Sequence, residues 1–253
     1  MNIRKFALLL AAFATTGGAF AIAQEEAQWQ SLFDGSTLNG WKQLNGTATY
    51  TVEDGAIVGT TSPGSPNSFL CTEKDYGDFV LELEFLVDEA LNSGVQIRSQ
   101  SLPDYKEGRV HGYQVEIDPN QTKPHEKEPA NERANGEKIP LGTEPRCWTG
   151  GIYDESRRGW LNDLTKNEPA RKAFKPGEWN HFRIEAKGDS IKTFLNSVPA
   201  ADLKDDMTLK GFIGLQVHSS SSETPLHVRW KNIRIQVLDT PEGDAPKPAK
   251  REK

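Results

Sequence analysis

The sequence predicts an all-β fold, a sandwich of antiparallel sheets. Three observations carry this. Short runs with period-two alternation of apolar and polar residues recur along the chain. Turn signals rich in Gly, Asp and Asn separate them, and no long segment repeats with helical period.

Taken in order, "TYTVEDGAIVGT" reads as two strands around Glu53-Asp54-Gly55, a hairpin turn signal. In "DFVLELEFLV" (78–87), Phe79, Leu81, Leu83 and Phe85 oppose Glu82 and Glu84. "SGVQIRS" (93–99) sets Val95 and Ile97 against Gln96 and Arg98. "HGYQVEIDPN" (111–120) sets Tyr113, Val115 and Ile117 against Gln114, Glu116 and Asp118. "EWNHFRIEAKGDSIKTFLN" (178–196) is a second hairpin turning at Lys187-Gly188-Asp189. "GFIGLQVH" (211–218) sets Ile213, Leu215 and Val217 against Gly214, Gln216 and His218, and "LHVRWKNIRIQVL" (226–238) closes the domain. Residues 156–174 are the exception, with room for a helical turn or two.

The ends differ from this pattern. Arg4 and Lys5 precede the apolar run "FALLLAAFA", and small-residue cleavage patterns follow at Ala19-Phe20-Ala21 and Ala21-Ile22-Ala23. Residues 1–23 are therefore expected to be a signal peptide that sends the protein to the periplasm or the medium. No later stretch is apolar for long enough to span a bilayer, so no membrane anchor is expected. From Thr240 onward, "TPEGDAPKPAKREK" is rich in Pro and charge without hydrophobic period, which predicts a disordered tail over 240–253. One domain, 24–239, is the simplest account of the rest.

Removing residues 1–23 takes away two basic residues and no acid, so a formal charge of −6 becomes −8. That balance argues against nucleic acid as a partner, because binding there rests on Lys and Arg neutralising phosphates. The two cysteines, Cys71 and Cys147, lack metal-ligand spacing. An oxidising compartment permits their pairing, and two ordinary thiols are the alternative.

Three strands share an unusual polar face: Gln96 and Arg98; Gln114, Glu116 and Asp118; Gln216 and His218. These side chains make directed hydrogen bonds, unlike the Lys, Thr and Ser of a merely wet surface. If the strands are neighbours, they combine a carboxylate, a cation, an imidazole and several amides, a set suited to sugar hydroxyls. Each residue also has a plain reading, as a solvated carboxylate, a strand-end His or a cross-strand ion pair. The segment "CWTGGIYDESRRGWL" (147–161) adds Trp148, Tyr153 and Trp160 as surfaces for stacking sugar rings, with Asp154, Glu155, Arg157 and Arg158 close by. An aromatic cluster closing one end of a sandwich explains the same composition. Residues 119–146, rich in Pro, Glu, Asn and Lys, form a loop long enough to be functional or disordered.

The motifs "LFDGSTLNGWK", "SGVQIRS", "VHGYQVEID", "TGGIYDESRRGWL", "EWNHFRIEAKGDSIKTFLN" and "GFIGLQVH" together resemble the 3-keto-disaccharide hydrolase family, formerly a domain of unknown function. The resemblance runs from about Leu32 to about Val237. One departure is Asn196-Ser197, where the family usually reads Asn-Gly. The resemblance implies a jelly-roll sandwich like the concanavalin A-type lectins and glucanases, with one concave, sugar-facing sheet. Laminarinase-type enzymes of that architecture carry E-x-D-x-x-E on a concave strand. Here the run is Glu116-Ile117-Asp118-Pro119-Asn120-Gln121, so the second Glu is absent and this strand does not supply a double-displacement pair.

The resemblance further implies cleavage of glycosides oxidised at C3, the substrate being a 3-keto-disaccharide or glycoside. A ketone at C3 makes the C2 proton removable by a positioned base; elimination at C1 and hydration follow. The expected catalytic set is Glu116 or His218 for proton transfer and Arg98 with Gln96 or Gln114 for the oxyanion. Asp118 either orients them or joins His218 in holding a divalent cation, which is the one cofactor the set suggests. Gln96, Gln114, Gln216, Trp148, Tyr153 and Arg157 are the expected substrate contacts. A lectin-like carbohydrate-binding module is the rival reading, and an exported adhesion or scaffold domain a weaker third.

Overall fold

The computed structural model describes residues 28–119 and 148–238. The expected signal peptide, the tail and nearly all of the 119–146 loop lie outside the described residues, as does Cys147.

Fifteen strands, one short α-helix and one 3-10 turn make up the described chain. The strands are β1 (Trp29–Ser31), β2 (Trp41–Leu44), β3 (Thr49–Glu53), β4 (Ala56–Thr60), β5 (Ser68–Thr72), β6 (Phe79–Val87), β7 (Ser93–Gln100) and β8 (His111–Ile117). There follow β9 (Ile152–Glu155), β10 (Gly159–Asn162), α1 (Glu168–Arg171), β11 (Asn180–Lys187), β12 (Ser190–Leu195), β13 (Val198–Lys204), β14 (Phe212–Val217) and β15 (His227–Val237). Every pairing is antiparallel. The back sheet runs β13-β12-β11-β6-β15-β4-β3, with β1 also on β15; the front sheet runs β10-β9-β8-β7-β14-β5-β2.

Alternation explains the core. Phe79, Leu81, Leu83 and Phe85 of β6 face inward with Phe182 and Ile184 of β11. They meet Val95 and Ile97, Tyr113, Val115 and Ile117, and Ile213, Leu215 and Val217 from the front sheet. All of these are essentially inaccessible, and each such side chain contributes about 1.5–3 kcal/mol by leaving water. On the outside of β6, Glu82 takes Arg183 and Arg234 from the two flanking strands.

The β3–β4 hairpin turns where expected, with Asp54 and Gly55 at positive φ. The segment 156–174 is part strand and part helix. Gly159–Asn162 pairs with β9, and α1 is capped by the Asn167 side chain, which accepts from the Ala170 N–H at 3.2 Å.

Candidate active site on the front sheet

The three polar-faced strands are adjacent, in the order β8-β7-β14. Their register lines residues up in rows across the sheet. One row runs Tyr153, Gln114, Gln96, Gly214, Cys71; the next runs Glu116, Gly94, Gln216, Phe69.

Within these rows the amides point one way. Ser99 Oγ donates to Gln96 Oε1 at 2.7 Å, Gln96 Nε2 to Gln114 Oε1 at 2.5 Å, and Gln114 Nε2 to Glu116 Oε2 at 2.9 Å. Asn92 Nδ2 donates to the other Glu116 oxygen at 2.6 Å. Gln114 can reach because Gly94, opposite Glu116, has no side chain. A Cβ there would lie 2.5 Å from Gln114 Cγ and Cδ. Burial pushes the Glu116 carboxyl up to about 8, and the nearby charges of Asp118 and Glu155 add to this, while the Asn92 and Gln114 donors oppose it. Asp118 is buried at the end of β8, its backbone N–H bonded to Thr149 Oγ1.

The β5 side of the face, together with the start of β14, is closed. Val110, from the connection between β7 and β8, packs on Phe69, Cys71 and Phe212. Asn45 fixes that connection by donating to Gly108 O and accepting from the Val110 N–H. The polar part of the face therefore ends in an apolar wall beside Gln216.

Arg98 does not join this face, which corrects the alternation reading. A β-bulge between Ile97 and Gln100 puts Arg98 at φ 47°, and a one-residue slip moves a side chain to the other side of a sheet. The guanidinium is fully buried in the sandwich. It donates to Gly77 O and Gly188 O, each at 2.7 Å, and to Asp78 Oδ1 at 2.9 Å. Gly211 makes the bulge possible, since a Cβ there would meet Ser99 O at 2.2 Å. Ser99 takes the place on the face that Arg98 vacates.

Three more expected site residues fall outside the cluster. Trp148 belongs to the hydrophobic core, with Arg171 over its ring at 4.7 Å. Arg157 is tied to Asp154 at 2.7 Å and to Thr208 Oγ1 at 2.6 Å, and its guanidinium sits 5.4 Å from the Tyr113 ring centroid. His218 follows β14 at the rim, bonded through Nδ1 to Ser219 O at 2.8 Å. A carbonyl only accepts, so Nδ1 carries the proton of this bond. Tyr153 stays half-buried on the face beside Gln114, edge-on to Trp160 at 5.2 Å. Among the described residues no group of three or more His, Cys, Asp or Glu is gathered to hold a metal ion.

Asn92, Gly94 and Ser99 were missed by sequence reasoning. A Gly inside the strand pattern of "SGVQIRS" is a signal of close approach and could have found Gly94. Asn92 and Ser99 carry no such signal.

A protein-family model described as a 3-keto-alpha-glucoside-1,2-lyase-like domain matches residues 28–236. Among curated proteins no sequence matches. Solved structures with the same fold include a presumed glycosyl hydrolase from Parabacteroides distasonis (21% identity, 83% of this chain and 94% of that one, TM-score 0.55). A second from the same organism shares 23% identity over 83% of this chain and all of that one, with TM-score 0.53. A Bacillus subtilis protein of unknown function with a galectin-like fold matches at 10% identity, 83% and 94% coverage and TM-score 0.55.

Proposed function

Because the chain belongs to the 3-keto-alpha-glucoside-1,2-lyase-like family, whose members point to work on carbohydrate, we propose that it cleaves 3-keto-glycosides by removing the C2 proton. The observation that carries this is Glu116. It is a buried carboxyl on the polar face, raised to about 8, with a side-chain donor on each oxygen. Removing a proton from carbon needs a stronger base than an ordinary carboxylate. Burial beside Asp118 and Glu155 supplies the basicity, and Asn92 and Gln114 hold the orientation.

In this reading the C2 proton passes to Glu116 and the electron pair forms the enolate of the C3 ketone. The enolate then expels the C1 leaving oxygen, which takes its proton from water or from a protonated His218 at the rim. Water adds its oxygen to C1 of the new C1–C2 double bond while C2 takes up a proton, which gives the free 3-keto sugar. Arg98 has no part in stabilising the enolate, since its donors are committed inside the sandwich. The wall of Val110, Phe69 and Phe212 favours a short glycoside over a polymer threading the sheet. The leader-like N-terminus supports a reaction outside the cytoplasm, and Edman sequencing of an exported protein should begin just after Ala21 or Ala23.

Incubation with 3-keto-sucrose, 3-keto-trehalose and the unoxidised sugars, with and without chelator, tests the proposal. Cleavage confined to the ketones, with deuterium entering C2 of the released 3-keto-glucose in D2O, is the expected result. Binding without turnover would instead make this a lectin-like module.

A further inference from the structure

Gln216 is fully buried, and neither its Oε1 nor its Nε2 has a hydrogen-bond partner among the described residues. The other two amides of the face, Gln96 and Gln114, are bonded to each other and to Ser99 and Glu116. Folding a primary amide away from water without partners destabilises a protein, and native chains seldom leave one so without a reason.

Its place suggests the reason. Gln216 pairs with Gly94, which pairs with Glu116, so all three share one row with the side-chain-less residue in the middle. Two strand spacings separate the Gln216 and Glu116 backbones, roughly 10 Å. On its far side Gln216 meets Phe69 and the apolar wall. The bare amide is thus the last polar group of the face before the wall, aligned with the carboxyl proposed as base.

We infer that Gln216 reads an α-hydroxyketone edge of the ligand. Its Nε2 donates to the carbonyl oxygen and its Oε1 accepts from the adjacent hydroxyl. A primary amide offers one donor side and one acceptor side in a single plane, so its complement is an acceptor and a donor on neighbouring atoms. This rests on the 3-keto-glycoside reading, in which the C3 ketone and a hydroxyl beside it form that edge. Negative charge gathers on the ketone oxygen as C2 loses its proton, so the Nε2 bond strengthens towards the transition state. The amide is already desolvated on folding, and ligand binding restores its lost partners.

Gln216→Met tests this, because it keeps the length of the side chain and removes both polar atoms. The unliganded variant should melt higher than wild type, by about 2–4 °C, since an unsatisfied buried amide has gone. Its kcat/KM on 3-keto-sucrose should nevertheless fall by about 10²–10³. Gln216→Glu, which keeps an acceptor but loses the amide donor, should fall as far. Either variant retaining kcat/KM within about threefold of wild type overturns the inference. Thermal-shift titrations with 3-keto-sucrose and sucrose separate the two readings. If wild type turns over no ketone yet is stabilised by sucrose, and Gln216→Met is not, then Gln216 still binds sugar and the 3-keto reading falls. If wild type and variant cleave 3-keto-sucrose alike, the reading stands and the role of Gln216 falls.

Discussion

Gln114 donates from Nε2 to Glu116 Oε2 at 2.9 Å, from two residues earlier on the same strand, and does so across the space that Gly94 leaves empty. The pair depends on a third residue that touches neither reacting atom. Gly94→Ala would drive a Cβ to 2.5 Å from Gln114 Cγ and Cδ, forcing the amide away from Glu116. A hydrogen bond to a charged group lost in this way should lower turnover about 10–100-fold. The circular dichroism spectrum should be unchanged. Wild-type turnover by Gly94→Ala would remove Gln114 from the account.

The pH dependence follows from Glu116. Acting as a base with a value near 8, it should make kcat/KM rise with pH and level off above about 8. Glu116→Gln should lose about 10²–10⁴ of the rate; near-wild-type turnover in both Glu116→Gln and His218→Ala would sink the assignment. Stability has the opposite slope. The folded-state value lies above the ordinary 4.5, so this group's contribution is complete below about 4.5 and is lost as pH rises through about 8. Melting curves should show Glu116→Gln gaining on wild type across that window.

Arg98 predicts a loss of fold and not of chemistry alone. Its guanidinium is buried against Asp78 and the Gly77 and Gly188 carbonyls. Arg98→Leu leaves those acceptors bare and should cost about 3–5 kcal/mol in urea unfolding. An Arg98→Leu protein of wild-type stability that cannot turn over substrate would return Arg98 to the site.

The Asn196-Ser197 turn offers a gain. Both residues have positive φ, 48° and 68°, as a two-residue hairpin loop of this type requires, and Gly is the residue that adopts it freely. Asn196 is also pinned by its side chain to Ala173 O and the His181 N–H. Ser197→Gly should stabilise by about 1 kcal/mol and raise the melting temperature about 2–4 °C. A lower melting temperature would mean that Ser197 makes a contact worth more than the strain.

Strands β6, β7, β8, β14 and β15 were legible because one face of each is core and the other is polar, so period two appears in the residues. Strand β5 was not. Its sequence "SFLCT" is buried on both sides, by the core and by Val110 with Phe212, so nothing alternates. Strands β9 and β10 are four residues each, too short to show a period, and the aromatic residues around them suited a stacking platform and a core equally well. The structure put Trp148 in the core and left Tyr153 on the face.

By itself the sequence determined the all-β class and the grouping of Gln114, Glu116 and Asp118 on one face of one strand, since alternation is a property of local backbone geometry. Only the tertiary structure decided which strands are neighbours. It also decided that the bulge beside Gly211 sends Arg98 inward and brings Ser99 out, that Gly94 gives Gln114 its path to Glu116, and that Gln216 is buried without a partner among the described residues. Each of these depends on backbone packing between segments distant in the chain, which no local pattern encodes.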